Sequence, residues 1–489
     1  MIDAATIDMT AALLVDGESR PAAGGRTYPD VAPATGEPFA AVPDATVEDL
    51  DQAVRAARHA FDRGDWVRDP ACRVACLRAL VAGLRASRER LRELLVGEGG
   101  VPVRLTRSIQ LDGALDEAGS LCDLVERHRW LVDLPTRGFH GFSSGREVRA
   151  EPVGVVALIT PANFPLALLL RSLVLALGAG NTVVLKVSPH TPLAGLAVGA
   201  HAVAAGFPPG VLNVVSSAHP AHLGTVLAAH PSVDLVGLTG STAAGRAVAY
   251  AAAATLKRLV LNLGGAGAHV VLDGADDGDI AAAGARVCFH AGQACSLYKR
   301  VLVPRARYAE ALELLADGMA EVPIGNPADP DVLMGPLVSA ELRDRVLAVS
   351  GQAERAGGRV IRAGRALPAG GGFYVEPVLI ADLSPDTDLA RHELPGPALV
   401  ALPYDDVDHA VALADGPAYG LSAAVSGGPP ELARAVAARL RAGAVSVHGG
   451  LPYGPDAPFA ARRGSGNGHH GGGAALADFL TTKVVGYPA

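Results

Sequence analysis

The sequence predicts an α/β protein made of two doubly wound α/β domains. Three observations carry this: a helical stretch in the first quarter, apolar strands alternating with helices from about residue 153 to 263, and a second alternating series from about 262 to 450. Residues 46–130 read as helix. TVEDLDQAVRAARHAFDRG opens on Thr46 and an acidic pair, then repeats apolar residues at three-to-four spacing. VGVVALI (153–159) reads as a buried strand, PLALLLRSLVLALGAG as a helix ending in glycine, and NTVVLKV (181–187) as the next strand. A helix from Pro192, a strand at 211–215, a helix, a strand at 233–238, a helix beginning near Ser241 and a strand at 256–263 complete a parallel sheet. The tail GSGNGHHGGGAALADFLTTKVVGY reads as loop followed by an apolar strand, expected to pair with another subunit. No internal repeat of about 20 to 50 residues is present.

At 489 residues the chain is long enough for two large domains, or three with a small one. A hydrophobic content of 49% with 19% charged residues describes a folded globular protein. The net charge of -8 and the absence of a basic run give no reason to expect a nucleic-acid partner. Five scattered cysteines argue against a disulfide framework. Cys72 and Cys76 sit four apart in a helix-like stretch with no second Cys/His pair nearby, so no metal site is expected. MIDAATIDMT lacks a signal pattern. The most apolar region, Val153 to Gly180, is interrupted by Pro161, Asn163, Pro165 and Arg171, so no membrane span is expected. A cytoplasmic enzyme is the expectation.

Four features could carry chemistry, and each has a plainer reading. LTGSTAAG places Gly240, Ser241, Thr242 and Gly245 where a strand turns into a helix; such an end attracts phosphate, or is simply a capped helix start. Cys295, in FHAGQACSLYKR, is a nucleophile or a small apolar filler. Lys186 at a strand end could be surface charge, and Asn163 between two prolines a turn residue.

Taken in order, these motifs resemble the aldehyde dehydrogenase superfamily over nearly the whole chain. VAPATGE (31–37), PVGVVALITPANFPL, GNTVVLKVSPHTP, LTGSTAAG, NLGG (262–265), AGQAC, MGPLVS (334–339), HELPGP (392–397), AYGLSAAV (418–425) and APFAARRGSGNG (457–468) follow in family order. The resemblance implies that Cys295 is the nucleophile and that Asn163, with the backbone N–H of Cys295, forms the oxyanion site. Asn262 falls at the general-base position. The resemblance also implies NAD or NADP as cofactor, met by Thr160, Pro161, Lys186, Ser188, Gly240, Ser241, Gly245 and Glu393. It implies a cofactor-binding domain (1–128 and 150–261), a catalytic domain (262–450) and a small bridging oligomerisation element (129–149 and 470–489), in a homodimer or homotetramer.

The chain departs from the family pattern at four places. The glutamate that opens Glu-Leu-Gly-Gly is Asn262, which cannot take a proton from water. A glutamate of the C-terminal strand falls at Thr481, a lysine nine residues after the catalytic asparagine at Ser172, and an aromatic beside the nicotinamide at Pro395. The sequence LRS (170–172), Pro189 three after Lys186, FH at 289–290 and SGNG followed by a double glycine resemble the benzaldehyde and vanillin dehydrogenase branch. His290 and His448 are the nearest substitute bases by sequence, or else packed histidines. The pocket loops near 105–123, 290–300 and 448–458 read as irregular. The leading expectation is oxidation of an apolar, by branch aromatic, aldehyde to its acid through a Cys295 thiohemiacetal and thioester. The alternatives are transfer of the acyl group to coenzyme A, and an impaired homologue kept for binding; a pure binder needs no nucleophile.

Overall fold

The computed structural model describes residues 11–364 and 366–488; the opening MIDAATIDMT lies outside them. The first sheet runs, edge to edge, through Arg258–Asn262, Leu235–Thr239, Val155–Ile159, Thr182–Lys186, Leu212–Val215, Leu13–Val15 and Glu18–Arg20. Its first five strands are parallel and almost wholly buried, which is why they read as unbroken apolar runs. The last two form an antiparallel hairpin, so the sheet is mixed, not purely parallel as expected. Three-residue strands are too short to show a period.

After the edge hairpin, the chain starts the five parallel strands at their middle one, Val155–Ile159. It winds to one side through 182–186 and 212–215, then returns to the other through 235–239 and 258–262. The switch point therefore lies between Val155–Ile159 and Leu235–Thr239, and a crevice opens beyond their carboxyl ends.

The second sheet runs Arg359–Arg362, Val378–Ala381, Ala398–Tyr404, Arg300–Pro304, Ala268–Val271, Ser422–Ser426, Ala444–Val447, parallel except at its first edge. The chain passes between the two sheets through only five residues, 263–267. Three segments, 263–267, 292–299 and 393–397, lead into the adjacent strands that begin at Ala268, Arg300 and Ala398.

Helices fill residues 46–130 as expected, except for turns. Val47–Arg63 begins with a reciprocal cap: Thr46 Oγ1 accepts from Asp49 N–H (3.2 Å) and Asp49 Oδ2 accepts from Thr46 N–H (2.9 Å). Asp112–Glu126 is a regular helix, which corrects the reading of 105–123 as irregular. Leu131–Phe139, Phe142–Pro152 and Leu480–Pro488 form a third, antiparallel sheet. The tail strand pairs with its own chain, from Leu480 opposite Pro152 to Pro488 opposite Ser144, and is largely exposed. Among the described residues no helix is long and apolar enough to cross a membrane, and no group of His, Cys, Asp and Glu could hold a metal ion.

Helices Asp277–Val287 and Tyr308–Ala320 cross backbone against backbone. A Cβ on Gly284 would lie 2.1 Å from the Leu315 carbonyl oxygen, and one on Gly318 1.9 Å from that of Ala281. Gly284→Ala is expected to push the helices apart and lower stability by about 1–3 kcal/mol. A fall in the urea midpoint at unchanged slope checks this.

Candidate active site

The carboxyl ends of the first sheet and the segments entering the second enclose a cleft of about 920 Å³, counted to its open mouth. The first sheet contributes Pro161 and Asn163 beyond strand 155–159, Gly240 and Ser241 beyond 235–239, and Asn262 at the end of 258–262. The second contributes Gly264, Gln293, Cys295, Lys299, Glu393 and Pro395. Seven of the expected site residues thus share one cavity: Pro161, Asn163, Gly240, Ser241, Asn262, Cys295 and Glu393. Thr160 lines a smaller inner pocket instead, and Lys186, Ser188 and Gly245 line neither.

Cys295 follows a tight turn in which His290 and Ala291 both adopt left-handed backbone (φ 49° and 51°), a conformation costing non-glycine residues about 1–2 kcal/mol each. Burial pushes its thiol up to about 11, and the Glu393 charge adds to this. Its own N–H, Arg171 and the Ser296 N–H pull the other way. Arg171 is fixed by two bonds of 2.7 Å to Glu117. Cys288 is wholly enclosed and pushed up to about 12 by burial, which leaves it inert.

Asn163 is tied to the segment that carries Cys295. Its Nδ2 donates to the Gln293 carbonyl at 2.6 Å. Its own backbone carbonyl accepts from Gln110 Nε2 at 2.9 Å and from His290 Nε2 at 2.7 Å. A carbonyl can only accept, so His290 carries its proton on Nε2, and burial pushes the ring down to about 4. His290 does not line the cleft, and neither does the exposed His448. Both expected substitute bases are therefore out of place: chain proximity put them near Cys295, and the left-handed turn carries the His290 ring onto Asn163. Thr481 is also remote, in the third sheet opposite Glu151.

Asn262 is 7% exposed, and its Oδ1 is buried with no hydrogen-bond partner. It forms part of the wall of both the cleft and the inner pocket, which Arg171, Ser172, His469 and His470 also line. Segment 465–468 packs along the end of its strand: Leu263 N–H donates to Ser465 O (2.9 Å), and a Cβ on Gly468 would lie 2.8 Å from Asn262 Nδ2.

The arrangement fits a dinucleotide. Ser241 caps the helix Thr242–Ala253, accepting from Ala244 N–H at 3.2 Å, so a helix N-terminus faces the cleft. Glu393 accepts no hydrogen bond from another described residue, and Gly264 is its floor: a Cβ there would lie 1.7 Å from Oε2. Burial raises the Glu393 carboxyl, while Lys299 and Arg345 lower it. Lys186 is buried at its strand end, with Nζ on the Val187 carbonyl (3.2 Å), and burial lowers it to about 8. Ser188 Oγ accepts from His190 N–H at 3.3 Å.

Sequence reasoning missed Gln110, Gln293, Arg171 and Lys299. Lys299 Nζ donates to the carbonyls of Leu394 (2.6 Å) and Gly396 (2.9 Å) and so holds the Glu393 segment. A lone lysine between Tyr298 and the apolar run RVLV was the available signal; Gln110 offered none.

Residues 20–485 match the model of the aldehyde dehydrogenase family. An aminoacetaldehyde dehydrogenase of Pseudomonas aeruginosa is 36% identical over 457 residues, covering 91% of this chain and 89% of that protein. A 3-succinoylsemialdehyde-pyridine dehydrogenase of a Pseudomonas species is 35% identical over 480 residues, covering 97% and 98%. Among solved structures, aldehyde dehydrogenase C of Pseudomonas syringae, crystallised with NAD+ and octanal, superposes with a TM-score of 0.91 at 32% identity, over 98% of this chain and 97% of that one. An aldehyde dehydrogenase of Mycobacterium tuberculosis with NAD+ gives 0.92 at 32% identity, over 98% and 99%. The chain belongs to the aldehyde dehydrogenase family. It is an NAD(P)-dependent enzyme that oxidises an aldehyde. Neither the coenzyme A nor the binding-only alternative is favoured by these likenesses.

A thiol raised to about 11 is almost all protonated at neutral pH. Alkylation of Cys295 by iodoacetamide should therefore rise about tenfold per pH unit from pH 7 to 10. Glu393→Gln removes the charge that opposes the thiolate and should speed alkylation at any fixed pH in that range. A rate flat above pH 7.5 would contradict the assignment.

Proposed function

We propose that this enzyme oxidises an apolar aldehyde to its acid, with Cys295 as nucleophile and Asn163 as oxyanion donor. The observation that carries this is their meeting in one cleft at the switch point of the first sheet. The bound nicotinamide cofactor supplies the hydride acceptor. Pro161, Gly240, Ser241 and Glu393 would hold it from the cleft wall, with Thr160, Lys186, Ser188 and Gly245 behind. This assigns residues 1–128 and 150–261 to cofactor binding, 262–450 to catalysis, and 129–149 with 470–489 to bridging between subunits. Leu131, Val132, Val484 and Tyr487 are exposed on the third sheet, which supports a second copy covering it in a homodimer or homotetramer.

The Cys295 thiol gives up its proton to solvent, and its sulfur adds to the aldehyde carbon. The oxyanion that forms meets the second N–H of the Asn163 amide, since the first is spent on Gln293, and the N–H of Cys295. Loss of hydride leaves a thioester on Cys295, which water then hydrolyses. Cys295 packs in an apolar cluster with Leu421, Phe459 and Tyr453, and its neighbour Ala294 belongs to a second one with Phe164 and Ala167. These suit the aromatic aldehydes of the benzaldehyde and vanillin branch, and octanal, the ligand of the Pseudomonas syringae structure, is likewise apolar.

Asn262 stands where relatives of this pattern carry the general base. Its amide can orient water but cannot take the proton, and loss of a general base costs ~10²–10⁴ in rate. Hydrolysis of the thioester is therefore the slow step. A first-turnover burst of NAD(P)H followed by slow steady release is expected in stopped flow. Asn262→Glu should raise the steady rate and shrink the burst. Cys295→Ala should abolish both, while Cys288→Ala keeps them. Fast linear turnover without a burst would sink this reading, and acceleration by coenzyme A would favour acyl transfer instead.

Cofactor choice follows from position 189. A carboxylate there would accept ribose hydroxyls and repel a 2′-phosphate; Pro189 does neither, and Lys186 can pair with the phosphate. NADP should turn over at a rate comparable with NAD. Inactivity with NADP in steady-state assays counts against the idea.

A further inference from the structure

The oxyanion donor is held by two side chains that give up something to hold it. We propose that His290 and Gln110 are positioning residues, clamping the Asn163 backbone so that its free amide N–H faces the oxygen of the carbonyl attacked by Cys295. The proposal rests on Asn163 being the oxyanion donor.

Both donors converge on one oxygen, the Asn163 carbonyl, from opposite parts of the chain: Gln110 at 2.9 Å and His290 at 2.7 Å. Each leaves its own acceptor buried and without a partner, Oε1 of Gln110 and Nδ1 of His290. Such orphans oppose folding, and an apolar side chain of similar size would avoid them. His290 also holds left-handed backbone to reach this carbonyl, although any glycine could have turned the chain there without strain. Neither side chain lines the cleft, so neither touches substrate or cofactor there.

The geometry explains why the site accepts this. Asn163 Nδ2 donates back to the Gln293 carbonyl, three residues beyond His290. Segment 290–295 and Asn163 are thereby stitched in both directions, which fixes the sulfur relative to the oxyanion donor. Gln293 is itself held: its Nε2 donates to the His290 carbonyl at 3.0 Å, and its Oε1 accepts from Val338 N–H at 2.9 Å. Loss of one anchor lets the Asn163 peptide shift, and a displacement of about 1 Å from an optimal geometry can cost ~10²-fold.

Single-turnover NAD(P)H formation tests this. His290→Phe and Gln110→Leu should each slow the burst by ~3–10-fold with KM unchanged within about twofold, and the double variant should slow it by more than the product of the two. His290→Gln, which keeps a donor on a side chain of similar reach, should restore most of the rate. Asn163→Ala, measured alongside, should slow the burst by ~10²–10³-fold. If Asn163→Ala leaves the burst intact, the oxyanion assignment fails and the clamp falls with it. If Asn163→Ala is slow but His290→Phe and Gln110→Leu change only the urea midpoint, the clamp alone is overturned. Should His290→Phe not fold, Gln110→Leu alone decides by the same two readouts.

Discussion

The chain passes from the first sheet to the second through residues 263–267, and the cleft depends on how closely that crossing packs. Three of its five residues are glycines, and each faces something a side chain would displace. A Cβ would lie 1.7 Å from Glu393 Oε2 at Gly264, 3.0 Å from the Cys295 carbonyl oxygen at Gly265, and 2.9 Å from the Ser422 carbonyl oxygen at Gly267. The crossing thus brings the Glu393 segment, the nucleophile segment and strand Ser422–Ser426 against one bare backbone. Because Asn262 ends the strand just before it, the same five residues fix Asn262 relative to Cys295. Widening the crossing at any one glycine would move two walls of the site at once, because interiors packed at this density transmit displacement rather than absorb it.

Electrostatics at Cys295 are balanced, not strongly activating. Glu393 raises the Cys295 thiol, while Arg171 and two backbone N–H groups lower it, and burial outweighs them. Lys299 and Arg345 offset the Glu393 charge, and Lys299 also anchors the segment that carries it. The sulfur therefore rests protonated in an apolar pocket. Such a sulfur is shielded from oxidation, whose rate follows thiolate character and exposure. Reactivity must come from what binds beside it.

The buried parallel strands were legible because strands covered on both faces are continuous apolar runs, as at Val155–Ile159 and Thr182–Lys186. The cap at Thr46 and the helix start at Ser241 were legible because their signals are local. The hairpin Leu13–Arg20 was not, since three residues cannot establish a period and its pairing with Val214 spans the whole first domain. That Asn163 and Cys295 share one cleft was readable through ordered motifs. The clamp on Asn163 was not, because Gln110 lies 53 residues away and nothing in its surroundings marks it. His290 shows the limit of proximity along the chain. Five residues from Cys295, it is turned by two left-handed residues onto another segment altogether.

Asn262 gains sense from the same balance of charge. A carboxylate at this buried position would face the desolvation that raises any enclosed acid, and its charge would add to that of Glu393 in holding the thiol protonated. A neutral amide removes that second negative charge from the neighbourhood of a sulfur already pushed up to about 11. For the reaction proposed above, formation of the thioester would gain from this, and its hydrolysis would lack a proton acceptor. What remains for water is the unpartnered Oδ1 and the inner pocket behind it, where His470 is held neutral by burial and by the nearby Arg171 charge. A neutral imidazole and an amide oxygen can both accept hydrogen bonds from water, yet neither takes up a proton readily in so enclosed a place. For the reaction proposed above, such an arrangement would favour forming the acyl-enzyme over hydrolysing it, and the lifetime of the thioester would be what the site controls.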